Sequence, residues 1–207
     1  MEQLEEIVTI QSFHETSFKE KGSLFTAQAY PVSTGEDIVN ILTDVKKKYY
    51  DASHHCFGYK LLDGQFKYSD DGEPSGTAGI RILNAIDHFE LLNILVIVIR
   101  YFGGTKLGVG PLGKAYYSSA ESVLSESKKT RKTAYRQIQI TADFSHSSLL
   151  HKSFADFEMK IQDTKYGEKI NFTCLIKPKF IENFSSYLTD KTSGSISINA
   201  GDEISYF

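Results

Sequence analysis

Hydrophobic and polar positions divide the chain into two textures. Ile7, Ile10 and Phe13 alternate weakly, and Leu24–Pro31 reads as a strand closed by proline. Ile38, Ile41, Leu42 and Val45 then recur at helical spacing. Ser33 and Glu36 stand at capping-box distance before them, and Lys46–Lys48 close the last turn. His54–Leu62 alternates again, with His55, Phe57, Tyr59 and Leu61 on one face. Asp63-Gly64 signals a hairpin turn, and Phe66 and Tyr68 begin the return strand. Ile80, Leu83, Ala85 and Ile86 predict a second helix. Leu91–Ile99 is almost wholly apolar and rich in Ile and Val, which predicts a strand buried on both faces and central in its sheet. A third helix follows, with Pro111 in its first turn and Leu112, Ala115, Tyr116, Ser119, Ala120, Val123 and Leu124 along one face.

The basic run at 128–132 reads as a linker. Beyond it the pattern is strand (Ile138–Phe144), helix capped by Ser145, hairpin around Gly167, helix (Phe180–Leu188) and a strand from Ile196. The order β-α-β-β-α-β is the ferredoxin-like pattern. The fold class expected is therefore α+β in two domains, residues 1–134 and 135–207.

Composition narrows the function. A hydrophobic content of 41% with 24% charged residues is ordinary for a globular chain. The apolar run at 91–99 is too short to span a bilayer, so no membrane is expected. The acidic start Met1–Glu6 does not resemble a signal peptide. Two cysteines, Cys56 and Cys174, build no disulfide framework, and a cytoplasmic location is expected. The net charge of −3 leaves no overall basic field for a polyanion, so a nucleic-acid partner would need a local patch. Lys46–Lys48 and the cations at 128–132 offer two such patches, and each also fits a solvated helix end.

Glycine is unevenly placed. Ten of the 15 glycines fall between Gly58 and Gly113, mostly in two loops flanking the apolar strand. The first loop, Asp70–Gly79, carries Asp70, Asp71 and Glu73 with Ser75 and Thr77. Its glycines leave a helix start bare, which suits an anion, while its carboxylates suit a hard cation. Acidic residues at a helix start and a Gly-Pro turn account for it equally well. The second loop, Arg100–Gly113, contains Gly108–Lys114, which fits G-x-x-x-x-G-K. The next residue is Ala115 where a P-loop needs Ser or Thr, and Pro111 removes an N–H from the cradle. His54 and Cys56 share a strand face, but two ligands are too few for zinc. Ser75 misses the nucleophile-elbow spacing by one position. Phe57, Tyr59, Phe66, Tyr68, Tyr101 and Phe102 could stack bases, although cross-strand core packing explains them without a basic surround.

Three strings carry a family resemblance: His54–Tyr59, Ser69–Gly79 and Val98–Gly108. They resemble the IMPACT family in its bacterial YigZ-like branch, over roughly residues 17–125, with a ferredoxin-like tail of the family's bacterial type. The resemblance implies an N-terminal fold shared with a ribosomal small-subunit protein domain and with GHMP kinases. It implies a tail similar to the last domain of elongation factor G. Eukaryotic relatives regulate translation during amino-acid starvation by competing for an activator of a starvation-sensing kinase. Ribosome or RNA binding is the role usually proposed for bacterial members. This chain departs from the family pattern at Lys21–Phe25, which lacks the common Arg, and at Phe57, where Trp is usual. Lys114 stands where relatives carry an Arg with its planar fork.

The expected function is translation-linked regulation by binding a ribosome, an RNA or a translation-associated protein. No cofactor and no metal are expected. The partner-binding surface expected from the two loops is Asp70, Asp71, Glu73, Ser75, Gly76, Thr77, Arg100, Tyr101, Gly103, Gly104, Thr105, Lys106, Gly108 and Lys114. Arg100 and Lys106 would supply cations, the glycines close backbone approach, and the carboxylates polar selectivity. The competing reading is an enzyme or small-molecule binder that holds a phosphorylated ligand or a divalent ion in the same loops.

Overall fold

A computed structural model describes residues 4–207; Met1–Gln3 of the acidic N-terminus lie outside the described residues. The chain divides into two compact units. One is Val8–Arg131; the other is Lys132–Phe207 with the described residues up to Ile7. Both are mixed α and β.

The first unit is built on one antiparallel sheet. Its strands are β2 (His14–Glu20), β3 (Ser23–Pro31), β4 (His54–Lys60), β5 (Phe66–Ser69) and β6 (Ile94–Tyr101), with β1 (Glu6–Ile10) before them. They lie in the order β2-β3-β6-β4-β5, so the apolar strand is central. Alternate residues of β6 serve two cores. Leu95, Ile97 and Ile99 pack with Ile38 and Val45 of α1 (Gly35–Lys48). Ile94, Val96 and Val98 pack with Ile82 and Ile86 of α2 (Gly79–His88) and with Tyr116 and Ala120 of α3 (Val109–Glu126). The strand starts three residues later than the apolar run because Glu90 and Asn93 take positive φ and turn the chain first.

Local chemistry sets the helix starts. The α1 capping box uses Thr34 and Asp37, one residue beyond the expected Ser33 and Glu36. The Thr34 hydroxyl accepts the Asp37 N–H at 3.1 Å, and the Asp37 carboxylate accepts the N–H groups of Ser33 and Thr34. Those two N–H groups lower the Asp37 pKa. The start of α2 is capped from a distance: the Asp70 carboxylate accepts N–H groups of Gly76, Ala78 and Gly79 at 2.8–3.0 Å. The edge strand β2 was not legible in the hydrophobic pattern, because its residues other than Phe18 are polar and alternate between half-buried and exposed. It joins β3 through Lys21-Gly22, both at positive φ, which is the two-residue hairpin geometry.

The second unit contains β7 (Lys129–Ala142), α4 (Ser147–Asp156), β8 (Lys160–Tyr166), β9 (Ile170–Ile176), α5 (Ile181–Thr192) and β10 (Ser197–Tyr206). The strand order β10-β7-β9-β8 is the ferredoxin-like arrangement, and β1 also pairs with β7. Ile138, Ile140, Phe172 and Cys174 pack with Leu150, Phe154, Phe184 and Leu188 of the two helices. Two expectations need correction. Lys129–Lys132 belong to β7 rather than to a linker: β7 pairs with β1, the Lys129 ammonium donates to the Leu124 carbonyl and lies over the Phe89 ring, and Lys132 is half-buried. Ser145 lies inside a 3-10 turn, Phe144–His146, and does not cap α4, whose N-cap is His146.

Packing of α2 onto β5 requires a glycine. A Cβ on Gly79 would lie 2.6 Å from the Ser69 backbone nitrogen. Gly79→Ala should therefore destabilise by about 1–3 kcal/mol through overpacking, read as a lower urea midpoint.

Candidate functional site

Period-2 alternation carries Arg100 onto the same face of β6 as Val96 and Val98, at 4% exposure. A charge there needs partners. Nη1 donates to Glu73 Oε1 at 2.6 Å, and Nη2 donates to Ser23 Oγ at 3.2 Å. The guanidinium lies over the rings of Phe25 and Phe102, at 5.3 and 5.5 Å. Glu73 is also buried. Its Oε1 accepts the Tyr116 hydroxyl at 2.8 Å and stands 3.8 Å from His54 Nε2. Burial, then the neighbouring Cys56 and Glu73, push the Tyr116 phenol far above its ordinary range. Burial likewise pushes the Cys56 thiol up to about 12, and its Sγ–H donates to the Asp70 carbonyl.

These contacts bring the two glycine-rich loops side by side. Between them opens a cleft of about 420 Å³. His54, Glu73 and Arg100 supply its polar floor. Pro74, Phe102, Leu107 and Leu112 supply apolar walls, and Lys106, Gly108 and Val109 complete the lining. The His54 ring nitrogen Nδ1 is 2.9 Å from the Asp71 carbonyl, so Nδ1 carries the proton and Nε2 faces Glu73.

Other expected residues have different places. Asp70 is spent on the α2 cap. The Asp71 carboxylate accepts the His55 N–H at 2.7 Å and pairs with Lys46 at 3.4 Å. Burial alone would raise its pKa; the His55 N–H and Lys46 outweigh that and lower it. The Thr77 hydroxyl donates to the Pro74 carbonyl, and the Gly76 N–H donates to Asp70. Tyr101 alternates to the opposite face of β6 and donates to Asp51. Gly103 lies against Gly22, where a Cβ would meet backbone at 1.9 Å, and its N–H donates to Ser23. Ser75, Gly104, Thr105 and Lys114 are exposed. None of these ten residues lines the cleft.

Ser23, His54, Pro74, Phe102, Leu107, Val109, Leu112 and Tyr116 are the contributors that sequence reasoning did not assign to the site. The available signal was Arg100 itself, a lone cation on the inward period of an otherwise apolar strand. Of the aromatics, Phe57 and Tyr59 pack against the α1 core, whereas Phe66, Tyr68 and Phe102 are exposed. The core explanation thus holds for only part of that set. No helix among the described residues is long and apolar enough to cross a membrane.

The fold and cleft define a class: a two-domain α+β chain with a cleft between two glycine-rich loops of its N-terminal sheet unit. Residues 21–124 match the Impact N-terminal domain, and residues 140–195 match DUF1949, a domain of unknown function. The chain is similar to the IMPACT family member YvyE of Bacillus subtilis, 28% identical over 94% of this chain and 90% of that one. It is 32% identical to an IMPACT family member of Haemophilus influenzae, over 79% of this chain and 81% of that one. A solved structure described as a hypothetical protein superimposes with a TM-score of 0.69 at 25% identity, covering 97% of this chain and all of the other. The chain belongs to the IMPACT family, alongside its bacterial YigZ-like members.

Removing one partner of the Arg100–Glu73 pair leaves an uncompensated buried charge. Glu73→Ala should cost about 3–5 kcal/mol, measured by urea unfolding.

Proposed function

We propose that this protein is a translation-linked regulator that binds a ribosomal, RNA or protein partner through the loops Asp70–Gly79 and Arg100–Gly108. The observation that carries this reading is the ion pair that pins the two loops together while leaving their tips exposed. Family membership supports the regulatory part, since relatives include eukaryotic proteins named Protein IMPACT, such as that of Oryctolagus cuniculus. The roles divide differently from a simple list of charged residues. Lys106, Thr105, Gly104 and Ser75 are the exposed groups that a partner meets. Arg100, Glu73, Asp70 and Asp71 hold the loop shapes. Gly103 gives the second loop its close seat on Gly22. A cytoplasmic setting, where ribosomes are, belongs to the same proposal.

The test is co-sedimentation of the full chain with ribosomes and separated subunits across a salt series. Binding at low salt that weakens steeply as salt rises is expected, because phosphate contacts release counterions. Lys106→Glu should reduce binding without lowering the unfolding midpoint. Absence of binding at low salt to ribosomes and to both subunits would overturn the ribosomal reading.

A further inference from the structure

We propose that the open edge of β2 is a self-association surface, on which a second copy of this chain pairs antiparallel about Ser17 and joins two five-stranded sheets into one. This goes beyond the ribosomal reading and does not rest on it.

β2 closes one side of its sheet, with β3 as its neighbour. β5 closes the other side with four residues, whereas β2 runs for seven, His14–Glu20. Short length, proline and bulges usually blunt an edge. β2 has none of these: its register with β3 is unbroken, and it contains no proline. The two-residue turn Lys21-Gly22 fixes its bonding pattern. The residues that flank such a turn, Glu20 and Ser23, face each other as a hydrogen-bonded pair, and pairs then alternate along the ladder. Phe18, Thr16 and His14 therefore turn their backbone N–H and C=O groups to β3. Lys19, Ser17 and Glu15 turn theirs to the open edge.

Charge is the remaining device that keeps edges apart. On β2 the charges are complementary to themselves. Outward backbone groups on odd-numbered residues mean that a second β2 must pair odd with odd. The register centred on Ser17 does so and uses all seven residues. It sets Glu15 opposite Lys19 and His14 opposite Glu20, each twice by symmetry, and Thr16 opposite Phe18. Opposite residues of an antiparallel pair share a face, so these side chains meet. The neighbouring allowed registers set Glu15 or Lys19 opposite Ser17 and lose both charge pairs. Lys19 and Glu20 have no ion-pair partner among the described residues. Glu15 accepts from Gln28 and Tyr49, but both bonds end on Oε2, which leaves Oε1 for the partner's lysine. On the other face Phe18, stacked on Phe25 at 5.3 Å, becomes a diagonal neighbour of its own copy, within reach of an aromatic ring.

Exposed ion pairs contribute little energy, so the charges here set register while the backbone ladder and Phe18 hold the copies together. One seven-residue strand pair makes a small interface, which suits a weak, concentration-dependent dimer.

Sedimentation velocity of the full chain over a wide concentration series, at low and high salt, tests this. A monomer–dimer equilibrium is expected, with the dimer weaker at high salt. Ser17→Pro removes an N–H that bonds nothing within the sheet, so it should abolish the dimer while the chain stays folded. Lys19→Glu places carboxylates opposite each other and should weaken the dimer about ten-fold. Glu15→Lys should do the same through opposed lysines. An equal mixture of the Lys19→Glu and Glu15→Lys chains should dimerise again, because every opposed pair is then of unlike charge. Loss of folding in either variant would not be rescued by mixing. A monomer at every concentration in low salt, a dimer retained by folded Ser17→Pro, or a mixture that associates no better than its separate components would overturn the proposal. Ribosome co-sedimentation can fail or succeed independently, because this experiment contains no ribosome.

Discussion

The buried pair between Arg100 and Glu73 is the constraint on which the N-terminal site depends. Arg100 belongs to the central strand, and Glu73 to a loop with little regular structure of its own. Their contact at 2.6 Å, in surroundings almost free of solvent, fixes where that loop lies. Ser23 extends the tie to β3, and Tyr116 extends it to α3. Four segments distant in sequence therefore meet at one carboxylate and one guanidinium. Such a pair adds little net stability over an apolar replacement, because both charges must leave water. Its effect here is geometric: it determines that a cleft exists and what lines it.

Glycine makes the second contribution. Gly79 and Gly103 sit where backbone passes backbone, and neither position has room for a methyl group. Gly72, Gly76, Gly104 and Gly108 take positive φ, which side chains resist. The loops are thus close-packed against the sheet at their roots and sharply turned at their tips. The glycine bias concentrates where two loops must approach a sheet edge and each other without side chains between them.

Much of the fold was legible because burial leaves a period. A nine-residue run, apolar but for Asn93, placed β6 at the centre of its sheet, and alternation with two helices identified the ferredoxin-like unit. Less of the site could be read. The residues Asp70, Asp71 and Thr77 look like ligand groups in sequence, yet their oxygens satisfy backbone N–H and carbonyl groups of the same turn and the adjacent strand. Tyr101 follows Arg100 directly, and for that reason points to the other face. Ser23 and Tyr116 join the site through pairings across 77 and 43 residues, which no local pattern encodes. The one usable sign was a charge at an inward position of an apolar strand.

The molecule pairs a rigidly organised cleft in one unit with a ferredoxin-like unit of balanced charge, within a family whose eukaryotic members also carry the Impact domain name. The functional proposal draws on the exposed tips of the loops at the cleft, and it presupposes that the ion pair holds those loops in place. A double-mutant cycle with Arg100→Met and Glu73→Gln, followed by urea unfolding, measures this coupling most directly. A coupling above about 1.5 kcal/mol is expected for a close, desolvated charge pair. Additive effects of the two substitutions would contradict a cleft organised by this pair.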